Sequence, residues 1–235
     1  METTIYCPEC GKMLKVTAIE NEPQKITLVK RSSVVTNWLD VKKAILENAA
    51  GVFEVGDKLS CTLKDGRKIE FVVAAVNPYS HNEVAFVTED LWDDEYAMND
   101  TNTNKGGWSK CKMRKVLNTT ILDLLPDELK AVIKPRKIKQ DYNDVITESE
   151  SKLWLLSRME LFGVETGVDV GDVHFPLFNT NKTRIKHCKG EWDWYWTRSP
   201  LASSSTHFCG VNNGGYSYSN LAANYSYGVA FGFLL

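Results

Sequence analysis

Cys7 and Cys10, in Ile5-Tyr6-Cys7-Pro8-Glu9-Cys10-Gly11-Lys12, have the C-x-x-C spacing that lets two thiolates share one face of a tetrahedral zinc ion. No second C-x-x-C follows, so zinc at Cys7 and Cys10 would need distant Cys or His ligands, or a second copy of the chain. The alternative is an inert N-terminal knuckle. The remaining cysteines, Cys61, Cys111, Cys188 and Cys209, are too scattered for a disulfide framework and read mostly as small core residues. Cys188 and Cys209 could be offered as a catalytic thiol pair, but nothing in the sequence brings them together or beside a base. His174 and His187 read as single surface or hydrogen-bonding residues. There is no G-x-S-x-G, no phosphate-binding glycine loop and no H-E-x-x-H, so the chain is expected to be non-catalytic.

The C-terminal section is different in kind. After Arg198 come 37 residues without one Asp, Glu, Lys or Arg, where the chain average of 25% charged would place about nine. Between Leu201 and Gly228 lie Tyr216, Tyr218, Tyr225 and Tyr227, interleaved with six Ser, four Asn and four Gly. That is the composition of an antibody combining surface: Tyr offers a large amphipathic contact at small entropic cost, and Ser, Gly and Asn supply adaptable hydrogen bonds. An edge hairpin or a low-complexity tail would have a similar composition. The flanks favour order, because Trp192, Trp194, Tyr195 and Trp196 on one side and Gly228 to Leu235 on the other read as strands that bury large side chains. The segment between them is expected to be a loop-rich binding surface. Replacing the two adenines of an A-A-pyrimidine codon freely yields every residue except Lys, Glu, Gln, Met and Trp, and none of these five occurs from Leu201 to Gly228. The absence of carboxylates also leaves this segment without the oxygen ligands that calcium-dependent sugar binding needs, and Asp169 and Asp172 upstream are a thin basis for such a site. A calcium-free glycan contact to the tyrosines stays open.

These residues need a scaffold, and 235 residues with 43% apolar content can bury one without help from disulfides or metal. A net charge of -2 provides no positive field for a phosphate backbone, so nucleic acid is not expected as a partner. No apolar run reaches about eighteen residues, which argues against a membrane span. Met1 to Lys12 lacks the apolar stretch of a signal peptide. The expected setting is therefore cytoplasmic synthesis, or carriage in a particle assembled there. Trp38, Val41, Ala44 and Ile45 predict a helix ending before Gly51. Lys58 to Leu63, Asp65-Gly66 and Lys68 to Val76 predict a hairpin, with Val84 to Thr88 continuing the meander. Asp90 to Gly107 is expected to be an irregular surface loop, Trp108 to Asn118 a helix, and the residues from Pro126 a second short helix. Lys152 to Ser157 reads as a buried run and Val164 to Lys189 as loop.

In that order, Tyr195-Trp196-Thr197-Arg198-Ser199-Pro200, the polar stretch after it and Gly228-Val229-Ala230-Phe231-Gly232-Phe233 resemble the variable proteins of diversity-generating retroelements, the family of the phage tropism determinant. The resemblance continues upstream through Val55-Gly56-Asp57, Met113-Arg114, Leu117-Asn118 and Trp154-Leu155-Leu156-Ser157. It implies an α+β C-type lectin fold over residues 51–235, a small twisted antiparallel sheet with flanking helices and long loops. Residues 1–50 would form an N-terminal arm, and about 196–233 a hypervariable segment rewritten through a reverse transcriptase. It further implies recognition of a protein or glycan ligand on a cell or phage surface, in a phage or prophage setting. Carried over by position, the variable ligand-binding residues are Leu201, Ser204, Thr206, His207, Gly210, Tyr216, Tyr218, Leu221, Tyr225 and Tyr227. Phe208, Val211, Gly215, Ala223 and Ser226 would be scaffold between them, with Ser203, Ser205, Asn213 and Ser219 open. Two alternatives accompany this reading. One is a structural phage or prophage component whose tail packs on neighbouring subunits, and the other is a relative of the formylglycine-generating oxidases that share the fold.

Overall fold

The computed structural model describes residues 2–6, 13–17, 33–34, 37–142, 144–164 and 168–235, and for the first three segments the backbone alone. Cys7 and Cys10 lie outside the described residues.

The Asp65-Gly66 turn behaves as its sequence predicts. Gly66 takes φ +88°, a conformation that suits a residue without Cβ, and the chain folds Lys58–Thr62 antiparallel onto Lys68–Val76. Val84–Thr88 pairs with the far side of Lys68–Val76, and the C-terminal strand Phe231–Leu234 pairs with Val84–Thr88 in turn. Trp154–Leu155 closes one edge, and Ser33–Val34 adds a parallel partner to Lys58–Thr62 at the other. Every residue of Val84–Thr88 is buried, so both faces of this six-stranded sheet are covered at its centre.

One cover is the helix Trp38–Val52, started by Asn37, whose side chain accepts from the Leu39 and Asp40 amides. Trp38 sits edge-on to Phe71 and Phe233 with centroids 6.3 and 6.4 Å away, and Phe233 stacks on Phe86 at 5.3 Å. The helix therefore shares the core of the sheet, and a division at residue 50 would cut through it.

Where one helix is expected from Trp108 to Asn118, there are two short ones, Gly107–Lys110 and Lys112–Val116. Cys111 separates them because its backbone is extended, and its sulfur accepts from the Arg114 amide to start the second. The chain continues through a wider turn at Leu117–Ile121, and Asp127–Val132 follows Pro126 as predicted. A hairpin that the periodicity reading passed over, Arg136–Tyr142 with Val145–Ser151, forms a second sheet with Asp169–Val170. Arg136, Ile138, Gln140 and Tyr142 are its buried positions, the period of two that a half-covered strand requires. The tail makes a third sheet, Tyr195–Pro200, His207–Val211 and Ser217–Ala222, all antiparallel. The architecture is thus mixed α and β with several small antiparallel sheets. Among the described residues no helix is long and apolar enough to cross a membrane.

Candidate binding surface

The tail is anchored at Arg198, which is wholly buried. Its guanidinium donates to Glu160 Oε2 at 2.5 Å, to the Leu155 carbonyl at 2.7 Å and to Asp172. Arg136 donates to the other oxygen of each carboxylate, to Glu160 Oε1 and Asp172 Oδ1 at 2.5 Å each, and lies over the rings of Tyr79 and Trp154. The Tyr79 hydroxyl also donates to Glu160 Oε1. Glu160 closes a capping box with Ser157 at the start of the helix Arg158–Phe162. Burial alone would raise the Glu160 pKa, but the Arg198 and Arg136 guanidiniums hold it down to about 2. Asp169 accepts from Gln140 Nε2 at 3.0 Å and from the Ser199 hydroxyl. Asp169 and Asp172, the carboxylates considered for calcium, are thus engaged in holding the tail.

Beyond Pro200 the backbone is tied by side chains from elsewhere in the chain. Asn104 is fully buried, and its Nδ2 donates to the carbonyls of Ser204 and His207, both at 2.7 Å, and more weakly to that of Leu201, while its Oδ1 accepts from the Tyr142 hydroxyl. Asn102 accepts from the Ala223 amide, and the Asn99 amide donates to the Ala223 carbonyl. Arg184 donates to the Gly215 carbonyl at 3.0 Å. Gly215 itself has φ +76°, and a Cβ there would lie 2.1 Å from the Asn181 carbonyl oxygen, so this turn accepts only glycine. The stretch Asp90 to Gly107 is irregular, as expected, but it is not simply a surface loop. Leu91, Trp92, Met98 and Asn104 are buried, because the tail's carbonyls and amides need partners and this segment supplies them.

On this frame Tyr216, Tyr218 and Tyr225 are 59%, 39% and 61% exposed. Leu201, Ser204, Thr206, His207 and Tyr227 are half-buried. Ser204 and Thr206 each place a hydroxyl 2.8 Å from His207 Nδ1. Gly210 and Leu221 do not lie on the surface. They are buried together, since a Cβ on Gly210 would come within 2.3 Å of Leu221 Cδ1, and this packing takes both out of the displayed set. Phe208, Val211, Gly215 and Ala223 are buried, whereas Ser226 is exposed. Ser217 to Asn220 are all exposed, because Ser217–Ala222 is the edge strand of its sheet. Trp192 departs from its expected buried position, at 65% exposure, because Glu191–Trp192 turns back on His187–Cys188 and the buried strand begins only at Tyr195.

Trp194, Tyr218, Asn220, Leu221, Ser226 and Tyr227 line an open cleft of about 310 Å³ together with Glu95 and Asp193. Trp194 meets Tyr218 edge to face at 4.9 Å, and Tyr227 meets Trp196 in the same way at 5.0 Å. Neither Cys188 nor Cys209 lines it. Cys209 is buried, which pushes its thiol up to about 11, and burial raises Cys188 as well, so neither is poised as a thiolate. Among the described residues no group of three or more His, Cys, Asp or Glu could hold a metal ion. Glu95, Asp193 and Asn104 are the residues that sequence reasoning missed. For Glu95 and Asn104 the available signal was the concentration of Asn and Asp in the segment before Trp108; Asp193, between Trp192 and Trp194, carried none.

Asn104→Ala should remove one buried partner from three loop carbonyls and from the Tyr142 hydroxyl, which keep the Ser204 and Leu201 amides and the Tyr142–Ser204 contact. Chemical denaturation is expected to show a loss of about 1 to 1.5 kcal/mol, the net worth of a buried hydrogen bond; an unchanged midpoint would mean that the remaining contacts hold the loop by themselves.

No curated protein and no solved structure matches the chain. A family profile described as a domain of unknown function, DUF6273, matches residues 82–235. That stretch contains the strands Val84–Thr88 and Phe231–Leu234, both arginines and both carboxylates of the buried cluster, and the whole tail. The match covers more than half of the chain, which therefore belongs to the DUF6273 family.

Proposed function

We propose that this protein is a non-catalytic recognition protein of C-type-lectin type, whose tail is a displayed surface diversified by a retroelement and directed at a protein or glycan on a cell or phage surface. The observation that carries the reading is the contrast within the tail. Its backbone and its buried side chains are fastened to the rest of the fold, while Tyr216, Tyr218 and Tyr225 project from it without entering the core. Such a surface can change its side chains without changing its shape. The lectin-type fold is supported by the mixed architecture of small antiparallel sheets joined by long ordered loops. The fold-related oxidase reading requires two cysteines in one open cleft, and Cys209 is buried beneath its strand. The structural-component reading would place the tyrosines in a subunit interface.

The variant Tyr216→Ser/Tyr218→Ser/Tyr225→Ser separates these readings. Exposed changes usually alter stability by about 0.5 kcal/mol or less each, so it should melt close to the parent. Screened on an array of glycans and bacterial surface proteins, it should bind whatever the parent binds at least about thirty-fold more weakly, the effect of losing one aromatic hot spot. Undiminished binding, unfolding, or a changed sedimentation coefficient would contradict the proposal, the last pointing to the structural-component reading. The genetic half has its own test. In the encoding genome, a near-copy of the Trp196–Phe233 coding segment should stand beside a reverse transcriptase gene and differ from it at adenines. Differences spread evenly over all four bases would remove the retroelement from the account.

A further inference from the structure

We propose that the cleft lined by Trp194, Tyr218, Tyr227, Glu95 and Asp193 binds an organic cation, the alkylammonium or guanidinium group that a lysine or arginine side chain carries. The inference rests on the reading of the tail as a recognition surface and names the chemistry that part of the surface takes.

Three features converge on this ligand. The first is size: about 310 Å³ is at the lower end of small-molecule pockets and suits one side chain or a compact amine. The second is the aromatic lining. Trp194 and Tyr218 hold each other edge to face, and Tyr227 is held against Trp196, so the rings are oriented before a ligand arrives. Ring faces carry the negative end of a quadrupole and attract cations. The third is charge. None of the described residues lining the cleft is basic, and two carboxylates, Glu95 and Asp193, line it together. Partial burial and the neighbouring Asp193 both push the Glu95 pKa upward, the behaviour of two like charges set side by side. Nearby Asp93 differs, because Arg67 approaches it at 3.1 Å. A cation entering between the two carboxyl groups would relieve their repulsion. Asn220 and Ser226 add neutral acceptors for its N–H groups. An anion would meet the same carboxylates as repulsion. A neutral sugar could stack on the rings but would leave the charge pair unrelieved.

The indole N–H resonance of Trp194 in a two-dimensional NMR titration is a direct reporter. The probes are N-acetyl-lysine amide, N-acetyl-arginine amide and tetramethylammonium chloride, with sodium chloride holding ionic strength constant and N-acetyl-alanine amide and methyl β-glucoside as neutral controls. At least one cation should give a saturable shift, and sodium and the neutral controls none. The amino-acid amides binding best points to a protein side chain, and tetramethylammonium binding best to a free quaternary amine. Glu95→Gln, at an exposed position whose melting curve should match the parent, is expected to weaken binding about tenfold. Tyr218→Ser should weaken it about two- to thirty-fold. No saturable shift from any cation up to about 0.1 M overturns the inference, as does a response to the glucoside that the cations do not share. If the cations fail while the triple tyrosine variant still loses its partner, the cation site alone falls. If the cations bind while that variant keeps its partner, the recognition reading falls and the cleft stands apart from it.

Discussion

The constraint on which the rest depends is the burial of Arg198. A guanidinium out of water is costly unless its charge meets a counter-charge at hydrogen-bond distance. Here a closed square of two arginines and two carboxylates supplies it through the Nη atoms, while Arg198 Nε is buried without a partner. Glu160 and Asp172 each accept from Arg136 and from Arg198. The members come from separate parts of the chain: Arg136 from the second sheet, Glu160 from a short helix, Asp172 from a loop and Arg198 from the tail sheet. Tyr79, just beyond the strand Lys68–Val76, completes the set. The cluster thus fixes where the tail leaves the body of the protein.

From that point outward, the fold separates two jobs. Asn104, Asn102, Asn99, Arg184 and Gly215 hold backbone, and Phe208, Val211, Leu221 and Ala223 fill core. Tyr216, Tyr218 and Tyr225 do neither. Side chains that make few contacts within the fold can be exchanged with little effect on it, which a diversified surface requires and an ordinary hydrophobic tail cannot offer. The 37 charge-free residues are consistent with this division, since the segment borrows its charged partners, Arg184, Glu95 and Asp193, from outside itself.

Much of the scaffold was legible because it follows local rules. The Asp65-Gly66 hairpin, the helix at Trp38 and the buried flanks at Trp196 and Phe231 were all readable from period and turn chemistry. The hairpin Arg136–Tyr142 escaped because its inward residues include Arg136 and Gln140, polar side chains that conceal a period of two. The burial of Gly210 and Leu221 also escaped, since it arises from one strand lying across another. Arg198 could be seen as the last charge before the neutral tail, but its partners lie 26 and 38 residues upstream and have no spacing rule. Trp192 misled because aromatic content does not distinguish a core strand from a displayed ring.

The most direct measurement compares unfolding free energies for a panel of chains carrying random residues at Tyr216, Tyr218 and Tyr225 with that of Arg198→Met. If the anchor and the displayed surface are separate, the panel should lie within about 1.5 kcal/mol of the parent. Arg198→Met, which leaves two buried carboxylates short of a counter-charge, should lose about 3 to 5 kcal/mol. A panel whose losses match those of Arg198→Met would show that the tyrosines are part of the scaffold, and the account of a displayed surface on a fixed anchor would be wrong.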